Sequence, residues 1–200
     1  MMRSSILGLL LAGAFACGTP AMAQHRPPAG APGKAAEVAP APTTLEGLFE
    51  RLKTARDAAE GRVIAKQIEQ RWLRGPNETA TLLMERVGQA MAANAHETAI
   101  ELIDSILLLH PAWAEAYNKR ATILFLMDDY DGSLRDIRLT LAHEPRHFGA
   151  LAGLGMIFQR MGRSKAAYSA YKRALDIHPH LGELRSITDR MRPEIEGQEL

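Results

Sequence analysis

The stretch HEPRH, His143 to His147, matches the H-E-x-x-H pattern with which zinc proteases hold their metal. In such proteases both histidines lie on one unbroken helix, so that the rings converge on zinc while the glutamate activates water. Here Pro145 lies between the histidines, and proline lacks the amide hydrogen that a helix interior uses. The third ligand of the longer motif is also missing, because Ala150 and Gly153 stand where it could lie. The stretch is therefore predicted to be a turn with no catalytic and no metal-binding residue, and a secreted zinc hydrolase is only an alternative.

The other residues that could do chemistry do not form a recognisable site. His110, His178 and His180 flank prolines at predicted turns, which indicates surface turn histidines rather than ligands of a shared metal ion. The cluster Asp128–Asp131 lacks the glycine and the closing glutamate of a calcium loop. No G-x-S-x-G or G-x-x-x-x-G-K stretch occurs. We therefore predict a protein that is not an enzyme and that needs no cofactor.

Residues 1–23 have the pattern of a secretory signal. Arg3 gives a positive start, an apolar run follows, and Ala21-Met22-Ala23 forms a small-x-small cleavage site. We expect the mature chain to be exported and periplasmic. The alternative is a lipoprotein anchored at the envelope through Cys17, the single cysteine of the chain, and membrane association is expected only in that case. With ordinary cleavage the mature chain has no disulfide and no thiol chemistry.

Residues 24–44 are rich in proline and alanine, which predicts a flexible spacer. The whole chain has 24 Lys+Arg and 23 Asp+Glu, and the two numbers become equal once Arg3 is removed with the signal. This balance provides no general attraction to phosphate backbones or anionic lipid. Nucleic acid is therefore not an expected partner.

After Thr44 the hydrophobic pattern is helical and repeats every 34 residues. Pro111, Pro145 and Pro179 are 34 residues apart, and each ends an apolar helical segment. The same interval separates Leu83, Tyr117 and Leu151, and also the small residues Ala99, Ser133 and Ala167. No segment alternates as a half-buried strand does. The sequence therefore predicts an all-α chain built from repeated helix pairs.

This pattern resembles the tetratricopeptide repeat (TPR) family, whose unit is a 34-residue antiparallel helix pair. The match is best in residues 114–147, where characteristic places are occupied by Tyr117, Ala121, Leu124, Tyr130, Ser133, Ile137 and Pro145. The resemblance implies a right-handed α-solenoid of helix-turn-helix repeats, in which stacked pairs bury a continuous core and a capping helix ends the array. The expected domains are a signal peptide 1–23, a spacer 24–44, a divergent helix pair 45–79, a TPR-like repeat 80–113, TPR repeats 114–147 and 148–181, and a capping helix with tail 182–200.

In an array of this kind the first helices of the pairs line the concave side. The register of the family places seven candidate partner-binding residues there: Met84, Met91, Asn118, Thr122, Phe125, Met156 and Gln159. The set is largely apolar, and methionine side chains adapt to irregular partners. It lacks the several lysines and arginines of chaperone-binding relatives, so acidic C-terminal tails are not the expected ligands. The alternative for the methionines and Phe125 is a place in the core.

The expected function is that of a non-catalytic scaffold or adaptor in the bacterial periplasm or cell envelope. It would bind a segment of another protein in the concave groove. The alternatives are a lipid-anchored structural component of the envelope and the zinc hydrolase considered above. The fold does not name the partner, and the sequence leaves self-association open.

Overall fold

The computed structural model describes residues 44–197; the predicted signal peptide with Cys17, the spacer up to residue 43 and the last three residues lie outside this part. The described residues form nine α-helices and no strand, which confirms the predicted all-α solenoid. The helices are α1 Leu45–Lys53, α2 Ala58–Leu73, α3 Glu78–Ala92, α4 His96–Leu109, α5 Ala114–Leu126, α6 Tyr130–His143, α7 Phe148–Arg160, α8 Ser164–Ile177 and α9 Gly182–Glu196.

The turns inside the pairs α3–α4, α5–α6 and α7–α8 share one backbone feature. Asn94, Asp128 and Gly162 have φ angles of 56°, 62° and 69°, and they are 34 residues apart. Asn, Asp and Gly are the residue types that adopt this left-handed conformation at the least steric cost. In the middle pair the next residue, Asp129, caps α6, because its carboxylate accepts a hydrogen bond of 2.8 Å from the backbone N–H of Gly132. The tight turn keeps the two helices of each pair antiparallel.

The two helices of each pair pack through a small residue that faces a large one. These positions are Val87 with Ile103, Ala121 with Ile137, and Gly155 with Tyr171, and all six residues are buried. From the second to the third pair, the residue of the first helix becomes smaller (Ala121, Gly155) as the residue of the second becomes larger (Ile137, Tyr171), which keeps the packed volume similar. At the third pair the fit leaves no space, since a Cβ atom on Gly155 would overlap the ring of Tyr171.

We predict that Gly155→Ala lowers the free energy of unfolding by about 1–3 kcal/mol, because the added methyl group overpacks against Tyr171. The double variant Gly155→Ala/Tyr171→Ile carries the residue types of the α5–α6 pair. It should recover part of this loss, even though Tyr171→Ile alone leaves a cavity. Urea unfolding of the wild type and the three variants measures the coupling energy, and simple addition of the two single losses would contradict the packing described here.

One arginine joins three helices in the middle of the array. The guanidinium of Arg120 on α5 donates to Asp104 of α4 at 2.6 Å and to both carboxylate oxygens of Asp136 of α6 at 2.7 and 2.8 Å. Hydrogen bonds to Asp136 raise the pKa of Arg120 above its ordinary value. Asp136 is buried, so this two-pronged contact satisfies a carboxylate that would be costly to leave alone. The contact fixes how the α3–α4 and α5–α6 pairs stack.

The first helix pair packs on later helices rather than on α3. Its apolar core is closed by Phe148 at the start of α7 and by Ile177 at the end of α8. α2 contacts α5, and α1 contacts α8. The pair therefore lies back along the array, across the turns that join one repeat to the next. This arrangement differs from the single row of four stacked pairs that the sequence indicated.

Contacts with three successive turns hold the folded-back pair. The backbone carbonyl of Trp72 accepts a hydrogen bond of 2.8 Å from the buried indole N–H of Trp113, before α5. The Trp72 ring stacks on His147, before α7, with centroids 4.0 Å apart. At the other end of the pair, a ring nitrogen of His180, before α9, lies 2.8 Å from the carbonyl of Ala55. α2 thus reaches from the turn before α5 to the turn before α9.

The folded-back pair leaves one face of α3 uncovered. Ala116 and Ile123 of α5 are fully buried against the preceding pair, and the residues 34 positions later, Ala150 and Ile157, are 1% exposed. The residue 34 positions before Ala116 is Leu82 of α3, and it is 50% exposed. Among residues 44–197, no helix pair covers the stacking face of α3, and the difference arises from the position of α1–α2.

The last helix ends the array with a polar face. Leu184 and Thr188 of α9 are buried toward the α7–α8 pair. Arg185, Asp189 and Arg192, which a following helix would have to cover, are exposed, and the last two form an ion pair at 2.6 Å. This agrees with the expected capping role. Within residues 44–197, no helix is both long and apolar enough to cross a bilayer.

We predict that Trp72→Ala destabilises the chain by about 3–5 kcal/mol, because a large buried ring is lost from the contact with His147 and Phe148. Hydrogen exchange should then increase in α1, α2 and the first turn of α7. Amides of α3 should keep their protection, since α2 is not their main packing partner. The largest increase in α3 would instead indicate a pair stacked in line with the array.

Candidate binding groove

The first helices of the three repeats carry the seven predicted partner-binding residues. Met84 and Met91 lie on α3, Asn118, Thr122 and Phe125 on α5, and Met156 and Gln159 on α7. The structure brings five of them into two separate pockets. Asn118 and Thr122 line neither of the two.

The first of these, the α2–α3 pocket, has a volume of about 630 Å³. Met84 and Met91 lie in its wall, but Met84 is only 4% exposed and packs in the core with Val87 and Ile103. The α2–α3 pocket is lined by Gln70, Leu73, Arg74, Thr81, Met84, Glu85, Gly88, Met91 and Lys119. Met84 is therefore mainly a core residue, which is the alternative that the sequence left open.

The second, the α7–α9 pocket, is larger, with a volume of about 890 Å³. It brings Phe125, Met156 and Gln159 together with apolar residues of α9, and Met156 is 48% exposed. The hydroxyl of Tyr171 donates to the side-chain oxygen of Gln159 at 2.5 Å and so orients that amide. The α7–α9 pocket is lined by Arg62, Phe125, Ala152, Met156, Gln159, Arg160, Tyr171, His178, His180, Leu181, Gly182, Glu183, Leu184 and Ile187.

α2 contributes to both pockets. Arg62, early in α2, belongs to the α7–α9 pocket, whereas Gln70 and Leu73, late in α2, belong to the α2–α3 pocket. The first helices of the repeats therefore carry two separate pockets, and a helix of the same chain lines both. α2 also contacts α5.

Under this contact, polar residues of α5 are occupied with one another. Glu115 is buried, and its carboxylate accepts hydrogen bonds from Asn118 at 3.1 Å and from His147 at 2.8 Å. It also forms an ion pair with Lys119 at 3.1 Å. Burial alone would raise the pKa of Glu115, but the hydrogen bond with His147 and the charge of Lys119 outweigh it, so the pKa lies below its ordinary value. The amide N–H₂ of Asn118, a predicted peptide-binding group, thus already has an acceptor.

The two nitrogens of His147 have different partners. Nδ1 accepts a hydrogen bond of 3.1 Å from the backbone N–H of Ala150 and so caps α7. Because an accepting Nδ1 carries no proton, the ring hydrogen lies on Nε2 and is donated to Glu115. His147 is therefore a helix cap that also supports Trp72.

These contacts give the HEPRH stretch its role. α6 ends at His143, whose ring stacks near Tyr117 at 5.9 Å, and Glu144 accepts a hydrogen bond from the backbone of Arg146 at 3.0 Å. With both nitrogens of His147 engaged, the stretch builds a turn between repeats, as its proline predicted. No group of three metal-ligand side chains occurs in the part of the chain that the structure describes.

The prediction that the turn histidines lie on the surface is wrong for His178, which is 2% exposed. His147, for which no exposure was predicted, is equally buried. The sequence showed the repeat boundary correctly, but a boundary turn is exposed only if nothing lies over it. Here the folded-back pair covers the turns, and Phe148 packs edge-on against the ring of His178 at 5.3 Å.

His178 is a buried ring without full hydrogen bonding. Its Nδ1 has no partner within residues 44–197. Burial, and then the nearby His180, lower the pKa of His178 to about 4. The ring is thus neutral at pH 7 in the folded chain, although it would titrate near its ordinary value once unfolded.

This pKa shift predicts acid sensitivity. The unfolded chain binds the proton more tightly, so the contribution of His178 is fully present above about pH 6.5 and is lost as the pH falls toward 4. Between pH 7.5 and pH 5 the free energy of unfolding should fall by about 2 kcal/mol more in the wild type than in His178→Leu. Urea unfolding across this range checks the difference, and equal pH dependence in the two proteins would contradict it.

The sequence pattern did not indicate the pocket residues that α2 and its C-cap supply, Arg62, Gln70, Leu73 and Arg74. No local signal assigns them to the groove, because the register describes only helices that stack in line. A weak indication existed, since residues 45–79 fit the repeat poorly and place Pro76 one position early.

Comparison with known proteins finds relatives by sequence. No protein-family model matches the chain. A TPR repeat-containing protein of Rhizobium etli is 37% identical over 135 residues, which span 68% of this chain and 66% of the relative. About a third of the length of that relative therefore lies outside the match.

Two solved structures have similar folds. The crystal structure of the Sgt2 TPR domain from Aspergillus fumigatus has a TM-score of 0.56 at 20% identity, covering 62% of this chain and 84% of that one. The first TPR of Spaghetti (RPAP3), bound to an HSP90 peptide, has a TM-score of 0.55 at 17% identity, covering 58% of this chain and 93% of that one. At these identities the likeness concerns the fold alone.

Proposed function

Because the chain belongs to the tetratricopeptide repeat family, we propose that it is a non-catalytic interaction module that binds a segment of a partner protein in the α7–α9 pocket. The observation that carries this proposal is the pocket itself. It has a volume of about 890 Å³ and a mostly apolar wall that includes Phe125 and the half-exposed Met156. Partly exposed apolar side chains in a concave site are typical of binding sites.

The fold supports a peptide or protein as the partner. The related TPR structure of Spaghetti is described as bound to an HSP90 peptide. The first helices of this chain carry two separate pockets, so the α7–α9 pocket would accept a short segment or a single anchoring side chain. The engaged nitrogens of His147 support a role without catalysis, because the one catalytic-looking motif serves a turn.

The sequence also supports a place of action. Residues 1–23 have the pattern of a secretory signal, followed by a spacer rich in proline and alanine. We therefore place the interaction in the periplasm or at the cell envelope of a bacterium.

A photo-crosslinking experiment tests the proposal. The full chain, produced in a bacterial host with its own leader, would carry a photoreactive amino acid at position 156 or, as a control, at the 83% exposed position 108 on α4. We expect an adduct with one defined protein from position 156 only, and a mature chain in the periplasmic fraction that begins at Gln24.

Adducts of equal yield from positions 156 and 108 would contradict binding in the α7–α9 pocket. A chain that keeps residues 1–23 and stays in the cytoplasm would contradict export without affecting the crosslinking result. The two parts of the proposal are thus tested separately.

A further inference from the structure

We infer that the α7–α9 pocket selects segments in which a bulky apolar side chain lies next to a carboxylate within a peptide. The apolar group would pack on Phe125 and Met156, and the carboxylate would bind Arg62 and Arg160. This inference rests on the proposed function and adds the chemistry of the partner segment.

The apolar part of the pocket fits one large side chain. The apolar wall of the pocket includes residues from three helices: Phe125 of α5, Met156 of α7, and Leu184 and Ile187 of α9. Methionine and isoleucine give a surface that adapts to aliphatic or aromatic groups. Burying such a side chain here would remove apolar area of both partners from water.

The charges at this pocket are not balanced. Arg62 and Arg160 line it, and neither forms an ion pair within the described residues, while Glu183 is the single carboxylate in the lining. In the α2–α3 pocket, Lys119 is already paired with Glu115, and Arg74 shares the lining with the carboxylate of Glu85. The α7–α9 pocket instead has two arginines for one carboxylate. Guanidinium groups bind carboxylates with a planar, two-pronged geometry. An acidic group on the partner would therefore complement the α7–α9 pocket better than the α2–α3 pocket.

The site depends on the folded-back pair. Arg62 lies on α2, whereas Arg160 lies at the end of α7. The two arginines therefore belong to different parts of the chain and meet at one pocket only because α2 crosses the array. The carboxylate is recognised beside an apolar side chain, so the segment need not be the acidic end of a chain.

Three fluorescent peptides test the inference by anisotropy with the full chain. The first, Ser-Gly-Leu-Phe-Glu-Asp-Gly, is apolar and acidic; the second replaces Glu-Asp by Gln-Asn; the third replaces Leu-Phe by Ser-Thr. All three are amidated at the carboxyl end. We expect the first to bind about tenfold more tightly than each of the others at low salt. One charge contact is worth about that factor for the second peptide, and the burial of one large apolar side chain is worth at least as much for the third.

In the double variant Arg62→Gln/Arg160→Gln, the affinity for the first peptide should fall about tenfold. The affinity for the Gln-Asn peptide should stay unchanged, so the preference for the acidic peptide disappears. The matched control is Arg138→Gln/Arg173→Gln, which removes the same charge from exposed positions outside the pocket. Equal losses in both double variants would reduce the effect to net charge and overturn the inference. Equal binding of the acidic and neutral peptides would also overturn it.

Two further results would assign the pocket to another occupant. Displacement of the peptide by dodecanoate at the same concentration would indicate a fatty acid. Self-association that the arginine variant abolishes would indicate a second copy of this chain. If a protein adduct at position 156 survives in the arginine variant, the proposed function stands and only the carboxylate preference fails.

Discussion

The stack of Trp72 on His147 is the contact on which most of this structure depends. One ring of the folded-back pair lies 4.0 Å from a histidine that caps α7 and donates to the buried Glu115. The side chain of His147 therefore connects the start of α7, the turn before it and the folded-back pair α1–α2. Removing any of the three groups leaves a buried polar atom or a cavity for the others, so these contacts should behave cooperatively.

Local chemistry made the repeated part of the fold predictable. Proline at 34-residue intervals, left-handed turn residues and matched small and large residues act between neighbours, and a periodic sequence displays them directly. The same reasoning placed Phe125, Met156 and Gln159 on the groove face, and the structure brings them together in one pocket. The position of α1–α2 could not be predicted from the repeat pattern, because α2 contacts residues that lie far along the chain. The burial of His147 and His178 was missed for the same reason.

The folded-back pair changes what the groove can accept. In an undivided groove a partner could follow the first helices from end to end, whereas here α2 lines two separate pockets of different character. The α2–α3 pocket has its lysine paired and one further arginine beside a glutamate, whereas the α7–α9 pocket has two arginines without ion-pair partners in the described residues. The selectivity that we propose therefore depends on a segment that is not part of the regular array.

The length of α2 also limits how many repeats this architecture can have. Between Gly61, whose Cα faces His180 before α9, and Trp72, which bonds Trp113 before α5, the helix spans roughly 17 Å at 1.5 Å per residue. The same helix therefore contacts two turns that are two repeats apart. Inserting or deleting one repeat would move the turn before α9 out of register with Ala55 and Gly61. The length of α2 thus fits the number of repeats that it spans, and a chain with another number of repeats would need a helix of another length.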